Sequence, residues 1–241
     1  MRYFTSDLHL QHPFIAALRG FFKPYDQLDD KQMDIVKRIK SGENPNRIIH
    51  EIGEEAFCRI VDVDAHDKAV IKNINARAGK KDELYILGDI SSGGMGNMCK
   101  ALSYIDQLHV LPSRRHLVLG NHEGFALRPA NANVLALRFG TITDMQCITM
   151  NDEMVVLSHT PAARRMNGAR MNGIAANSLS KTLKKHAPVV PKGVLHLHGH
   201  THSKRPNEFG TRMEINVGLD AWKLKPVSED EILGYRDGNL N

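Results

Sequence analysis

Five short apolar runs in this chain each end on a group that can hold a metal ion or move a proton. "RYFTSD" ends at Asp7, "ELYILGD" at Asp89, "HLVLGNH" at His122, "MVVLSH" at His159 and "GVLHLHGH" at His200. Runs of this length, rich in Val, Ile, Leu and aromatic residues, read as buried strands. In layered α/β proteins, ligand and catalytic groups gather at the carboxyl ends of strands, where loops open to solvent. Five strands delivering such groups to one end would build one site. The pattern therefore predicts an α/β fold with its chemistry along a single strand edge.

Helical patterns lie between the runs. Residues 26–40 carry Leu28, Met33, Ile35, Val36 and Ile39 among charges and predict a helix. Asp64 is expected to N-cap another, through about Ala78, with Val70, Ile71 and Ile74 on its apolar stripe. A third is expected over 97–108 with Asn97 as its cap, and Ser228 with Glu231 reads as a capping box. Residues 41–57 and 161–193 are rich in Gly, Asn and Pro and read as long loops with short helices. With no repeat, low-complexity tract or interdomain linker, residues 1–241 are expected to form a single domain.

Composition narrows the setting. The chain has 41% apolar residues, enough to bury a full core. Its three cysteines, Cys58, Cys99 and Cys147, are odd in number and widely spaced. They fit neither a disulfide framework nor a zinc knuckle and are expected as buried small apolar residues. No apolar h-region opens the chain and no apolar run reaches membrane-spanning length, so a cytoplasmic protein without a membrane partner is expected. The formal charge of +5 is a weak pointer to an anionic partner. Its distribution says more, because no Asp or Glu occurs from Met154 to Asn207. That segment holds Arg164, Arg165, Arg170, Lys181, Lys184, Lys185, Lys192, Lys204 and Arg205. Such a stretch is either a solvated basic face or one wall of an anion-binding cleft.

Taken as ligands, the strand-end groups form a coherent set. Asp7 and His9 are two apart, as are His200 and His202, so each pair can face one way from an extended segment. Asp89, Asn121 and His159 arrive singly. Three oxygen-type and four imidazole-type ligands without cysteine suit divalent Mn, Fe, Ni or Zn rather than a thiolate zinc site. Seven ligands exceed one tetrahedral ion but suit two with a bridging carboxylate. Two such ions about 3.5–4 Å apart are a recurring device for phosphoester hydrolysis, because coordination makes water a nucleophile at neutral pH. His122 adjoins a ligand yet is surplus to the count, which fits a general acid.

The ordered motifs "SDLH" (6–9), "GD" (88–89), "GNHE" (120–123), "SH" (158–159) and "GHTH" (199–202) resemble those of the calcineurin-like metallophosphoesterases. The opening "FTSDLHLQH" with "LRGF", and the later "NVGLDAW", look like a small phage and bacterial branch of that family. The resemblance implies a four-layer α/β/β/α sandwich, with both metals at the carboxyl edge of its strands. It places Asp7, His9, Asp89 and His202 on one metal and Asn121, His159 and His200 with the bridging Asp89 on the other. Asp89, Asn121 and His122 are the implied catalytic residues, with His122 protonating the leaving oxygen.

Departures from the family refine the expectation. The phosphoprotein phosphatases read roughly "GDxVDRG" and "RGNHE", whereas this chain has "GDISSGG" and "LGNHE". The absent arginines would grip a phosphomonoester dianion bidentately, so a phosphodiester becomes the better candidate. Gln11 stands where many relatives have glycine, with His12 beside it. The absent Asp leaves the orientation of His122 open, with Glu123 the candidate. His12, Arg164, Arg165 and Arg170 are candidate substrate contacts, and Trp222 or Phe125 could stack on a base, although packing is the plainer role. The expected activity is hydrolysis of a nucleotide or cyclic-nucleotide phosphodiester. A phosphomonoesterase or phosphoprotein phosphatase, a nuclease, and a non-catalytic scaffold are the alternatives. Aromatic residues make up only 6% of the chain, so long nucleic acid is not favoured.

Overall fold

The computed structural model describes residues 1–124, 128, 132–163 and 187–239. Two mixed sheets and a set of helices make an α/β fold. In the first sheet β1 (Arg2–Thr5), β2 (Glu83–Ile86), β3 (Arg115–Val118) and β4 (Thr141–Thr143) run parallel to one another. The short β9 (Val227–Ser228) pairs antiparallel to β1, giving the order β4-β3-β2-β1-β9. In the second, β5 (Met145–Met150) runs antiparallel to β6 (Glu153–Ser158). Strands β7 (Leu195–His198) and β8 (Glu214–Asn216) continue parallel to β6.

Side-chain alternation explains why the sheets stack. Leu84, Ile86 and Leu117 join one buried cluster with residues of helices α5 (Val63–Asn75) and α6 (Met95–Ile105). The opposite face carries Phe4, Tyr85, Leu87 and Val118, which meet Val155, Leu157, Leu195, Leu197, Ile215 and Val217 of the second sheet. Successive strand residues point to opposite faces, so one sheet serves two cores. A third cluster joins Ala16, Val36, Ile39, Ile48, Phe57 and Ile60 of α1 (Pro13–Leu18), α2 (Asp30–Lys40), α3 (Pro45–Ile52) and α4 (Glu54–Ile60). Helices α7 (Ala132–Ala136) and α8 (Glu229–Arg236) are the remaining α-helices among the described residues. No helix among the described residues is long and apolar enough to cross a membrane.

Several local expectations are corrected. The first long helix begins at Asp30 rather than 26, because Asp29 and Gln32 form a capping box that sets its start. Asp62, not Asp64, caps α5 by accepting from the Ala65 amide. Helix α6 begins at Met95 after Gly94, and Asn97 instead donates to Ser92. The short helices expected within 41–57 are α3 and α4, separated by Gly53 alone and running on to Ile60, each placing apolar residues in the third cluster. The Ser228–Glu231 capping box is present in full. The cysteines are not buried: Cys99 and Cys147 are exposed and Cys58 is half-buried, since helix α6 and edge strand β5 turn those positions outward.

Candidate metal centre

The carboxyl ends of β1, β2, β3, β6 and β7 converge, and the residues just beyond them make a cluster of imidazoles and carboxylates. The two sheets join here, where Ser6 bridges in parallel register to Gly218. The backbone is left-handed at Asp7 (φ 58°), His9 (φ 47°) and Gln11 (φ 62°), and again at Asp89 (φ 56°), His200 (φ 71°) and His202 (φ 51°). Non-glycine residues rarely adopt this conformation, and where they do the surroundings must hold them there. Spaced two apart, such residues turn their side chains to the same side.

Three sets of ligand atoms lie within 4.8 Å of one another: Asp7 with His9 and His202, Asp89 with His159 and His200, and His9 with Asp89 and His122. Asp89 is shared between sets, its Oδ2 lying 3.4 Å from His159 Nε2, 3.6 Å from His9 Nε2 and 3.8 Å from His122 Nε2. Asn121 adds its Oδ1 at 3.0 Å from His159 Nε2. All seven residues expected as ligands therefore meet in one place. His122 meets them too, but it is half-exposed, whereas Asp7, His9, Asp89 and His159 are buried.

Fixed hydrogen bonds decide which atoms face the cluster. His159 donates from Nδ1 to the Leu87 carbonyl at 2.8 Å, because a carbonyl can only accept. The neutral ring then turns an Nε2 lone pair toward Asn121 Oδ1, His200 Nδ1 at 3.1 Å and Asp89 Oδ2. His202 likewise donates from Nδ1 to Asp220 at 2.9 Å, which aims its Nε2 at His9 Nε2, 3.0 Å away. Lone pairs pointed at one another and at oxygen acceptors need a cation between them, so these residues fit divalent metal ions. Without one, a proton takes that place. Burial opposes charge on His159, yet the Asp89 carboxylate outweighs it and raises the ring to about 10. Burial, with His159 alongside, pushes His200 down to about 3, and burial also holds His9 well below its ordinary value.

Glu123 does not orient His122. It is fully buried, and its carboxylate accepts from the amides of Gly120 (2.7 Å), Asp89 (3.0 Å) and Ile90 (2.8 Å). It thus ties the β3 loop to the left-handed turn at Asp89. The His122 amide donates to Asp89 Oδ1 at 3.0 Å, so Asp89 itself anchors the His122 loop. His12 lies edge-on to His9 with ring centroids 5.2 Å apart and 6.2 Å from His122. Burial, with His122 nearby, lowers it to about 4. The glycines of the motifs are steric requirements. A Cβ on Gly88 would lie 2.6 Å from His159 Nδ1, and one on Gly199 would meet Ser6 Oγ and Asp7 Oδ2.

Arg164, Arg165 and Arg170 fall outside the described residues, as do Lys181, Lys184, Lys185 and Phe125. His196 is buried and bonded to Ser158 at 2.7 Å, in keeping with packing. His198 is buried as well, donating from Nδ1 to the Gly199 carbonyl at 3.0 Å, with Glu208 3.8 Å from its Nε2. Trp222 packs on the inter-sheet core and donates to the Asn216 carbonyl at 2.7 Å, so it is not a base platform. Sequence reasoning did not single out Arg19, His66, Asp67 or Asp220 as site residues, although they surround the ligand turns. Scattered charged residues carry no spacing that marks them as one group.

No family model matches the chain. The fold resembles a crystal structure of the protein of unknown function AQ665 from Aquifex aeolicus, with a TM-score of 0.54 and 20% identity over 96% of this chain and 97% of that one. The Gene 66 protein of Mycobacterium phage D29 is 29% identical over 181 residues, covering 68% of this chain and 80% of the relative. The Gene 66 protein of Mycobacterium phage L5 is 32% identical over 187 residues, covering 71% and 81%. At that identity and coverage, the chain belongs to the family of the phage Gene 66 proteins.

Proposed function

We propose that the protein is a calcineurin-like metallophosphoesterase that holds two divalent ions, Mn foremost and Fe, Ni or Zn otherwise, and hydrolyses nucleotide phosphodiesters. The observation that carries this reading is the placement of Asp89. Its Oδ2 lies 3.4 Å from His159 Nε2, in the set it forms with His159 and His200, and 3.6 Å from His9 Nε2, which also belongs to the Asp7–His9–His202 set. A structural site for one ion has no use for such sharing. On this reading the helices over the first sheet and the two facing sheets are three layers of a four-layer α/β/β/α sandwich.

Ions held there would acidify a coordinated water and neutralise charge on the phosphoryl oxygens. The chain's own residues do the rest. His122 stands at the open side of the cluster with its side chain 31% exposed, where its Nε2 can protonate a leaving alkoxide. A Cβ on Gly93 would lie 3.3 Å from His122 Nδ1, so glycine there leaves the ring its room, and the His122 amide is fixed on Asp89. Asn121, exposed beside His159, presents its amide where a phosphoryl oxygen would sit. Half-buried His12 stands beside His122 and would bound the leaving group.

Preference for a diester rests on charge. Arg19, the arginine that reaches the ligand turns among the described residues, spends its donors on Asp220 and backbone carbonyls and so has none to grip a phosphomonoester dianion. The test is a panel on the Mn-reconstituted chain comparing bis-p-nitrophenyl phosphate, p-nitrophenyl phosphate, cyclic nucleotides, single-stranded nucleic acid and a phosphopeptide. Turnover favouring diesters supports the reading, and preference for the monoester or phosphopeptide replaces it with a phosphatase. Silence across the panel by a metal-loaded chain favours a scaffold.

A further inference from the structure

Two sequence segments have no part in the chemistry above: "LRGF" at 18–21 and "NVGLDAW" at 216–222. The fold brings them together. Arg19 caps the C-terminus of α1 and turns inward until its side chain is only 3% exposed. There its Nε and Nη2 donate to Asp220 Oδ1 and Oδ2 at 3.0 and 2.9 Å, a two-point grip. Nη2 also donates to the Asp7 carbonyl at 2.8 Å, and Nη1 to the Leu8 carbonyl at 3.1 Å. The remaining Nη1 hydrogen meets His66 Nε2 at 3.0 Å. A guanidinium has five N–H donors, and all five are engaged.

Each partner has a consequence for the same three ligands. The Asp7 and Leu8 carbonyls belong to the peptides joining left-handed Asp7 to left-handed His9, so Arg19 pins the turn that those dihedrals strain. Asp220 Oδ2 accepts the Nδ1 hydrogen of His202, which leaves that ring's Nε2 free to face His9. The network continues outward: His66 Nδ1 donates to Asp67, whose Oδ2 accepts both the amide and the side-chain nitrogen of Gln11. This accounts for glutamine at a left-handed position, because its side chain and amide close on one carboxylate oxygen. By contrast, the ring of His159 and the turn at Asp89 are held by the Leu87 carbonyl and by Glu123.

We propose that Arg19 and Asp220 form a buried positioning pair dedicated to one of two metal positions, that of Asp7, His9 and His202, which they preset before metal arrives. The proposal rests on the dimetal reading. Outer hydrogen-bond partners of metal-binding histidines typically contribute 10–100-fold in metal affinity.

The test uses the full chain, stripped of metal and titrated with Mn by calorimetry, with ion content counted by elemental analysis. Asp220→Asn keeps the volume but cannot accept from Arg19 at both atoms and from His202 as well. It should weaken one of two Mn binding events by about 10–100-fold and leave the other unchanged. Arg19→Lys, which loses the fork but keeps a cation, should do the same and stands in should Asp220→Asn fold poorly. A metal-free readout accompanies these: long-range proton–nitrogen spectra of the histidine rings should show His202 protonated on Nδ1 in the wild type and shifted toward Nε2 in Asp220→Asn. Equal loss at both positions, or two unchanged binding events, overturns the proposal while the dimetal reading stands. A wild-type chain that takes up no Mn overturns the dimetal reading and this proposal with it.

Discussion

His159 donates to the Leu87 carbonyl at 2.8 Å, and that single bond selects which ring nitrogen faces Asp89. Leu87 follows β2 and Asp89 lies two residues on, so one chain segment supplies both the orienting acceptor and the shared carboxylate. Asp89→Ala should therefore strip both ions, whereas His200→Ala, which touches only one set, should weaken one. Elemental analysis after dialysis against limiting Mn distinguishes the two outcomes. The loss in Asp89→Ala should exceed the roughly 10–100-fold effect of an outer hydrogen-bond partner. Retention of both ions by Asp89→Ala would remove the bridge from the proposed function.

His122 poses a different choice, because its Nε2 lies within ligand distance of His9 and Asp89 yet its ring is open to solvent. As a general acid it should be dispensable for metal. His122→Ala is expected to keep full Mn content and to lower kcat by about 10²–10⁴-fold on a diester with a poor leaving group. With a p-nitrophenolate leaving group, which needs little protonation, the loss should be smaller. Loss of an ion from His122→Ala would make it a ligand instead.

The parts legible in the sequence were those that repeat. Five apolar runs ending in Asp7, Asp89, His122, His159 and His200 are each a strand, or a strand and the turn after it, because a parallel strand buried on both faces must be a continuous apolar run. Spacing singled out the pairs at 7 and 9 and at 200 and 202, but it implied extended backbone, whereas all four residues are left-handed. What spacing could not reveal is partnership across the chain. Arg19 and Asp220 are 201 residues apart, and Glu123 looks like any acidic residue after a histidine. The short helices expected within 41–57 take up more of that stretch than its Gly and Asn suggest, because Asn44 is a cap and Gly53 a junction rather than loop.

Glu123 gives a stability prediction. A fully buried carboxylate that accepts from three backbone amides holds the Asp89 turn, although burial and the nearby Asp89 carboxylate push it upward. Glutamine has one acceptor oxygen, so Glu123→Gln forces its amide group against a backbone N–H. The expected cost is about 2–4 kcal/mol, the range for losing hydrogen bonds to a charged group while a buried donor goes unpaired. Urea unfolding of the metal-free chain measures it. Mn affinity should fall in parallel, because the Asp89 backbone loses its tether. An unchanged unfolding midpoint would show that the turn holds itself.

Glu208 sets a pH dependence that can be isolated. Its carboxylate accepts from Thr201, which sits between His200 and His202, at 2.7 Å, and His198 Nε2 lies 3.8 Å away. Burial, aided by the Asp7 and Glu214 charges and opposed by the Thr201 bond, raises it from 4.5 to about 7. The folded chain thus holds this proton more tightly than the unfolded chain does. Stability from this group is present below about pH 4.5 and is lost as pH climbs to about 7, with no further change above. The full span is worth roughly 1–3 kcal/mol. Glu208→Gln accepts from Thr201 without a charge, so it should match the wild type near about pH 4 and exceed its stability near about pH 8. Urea midpoints of both metal-free chains across that range give the difference. A constant difference with pH would mean that Glu208 titrates as an ordinary surface carboxylate, and that the Thr201 loop is indifferent to its charge.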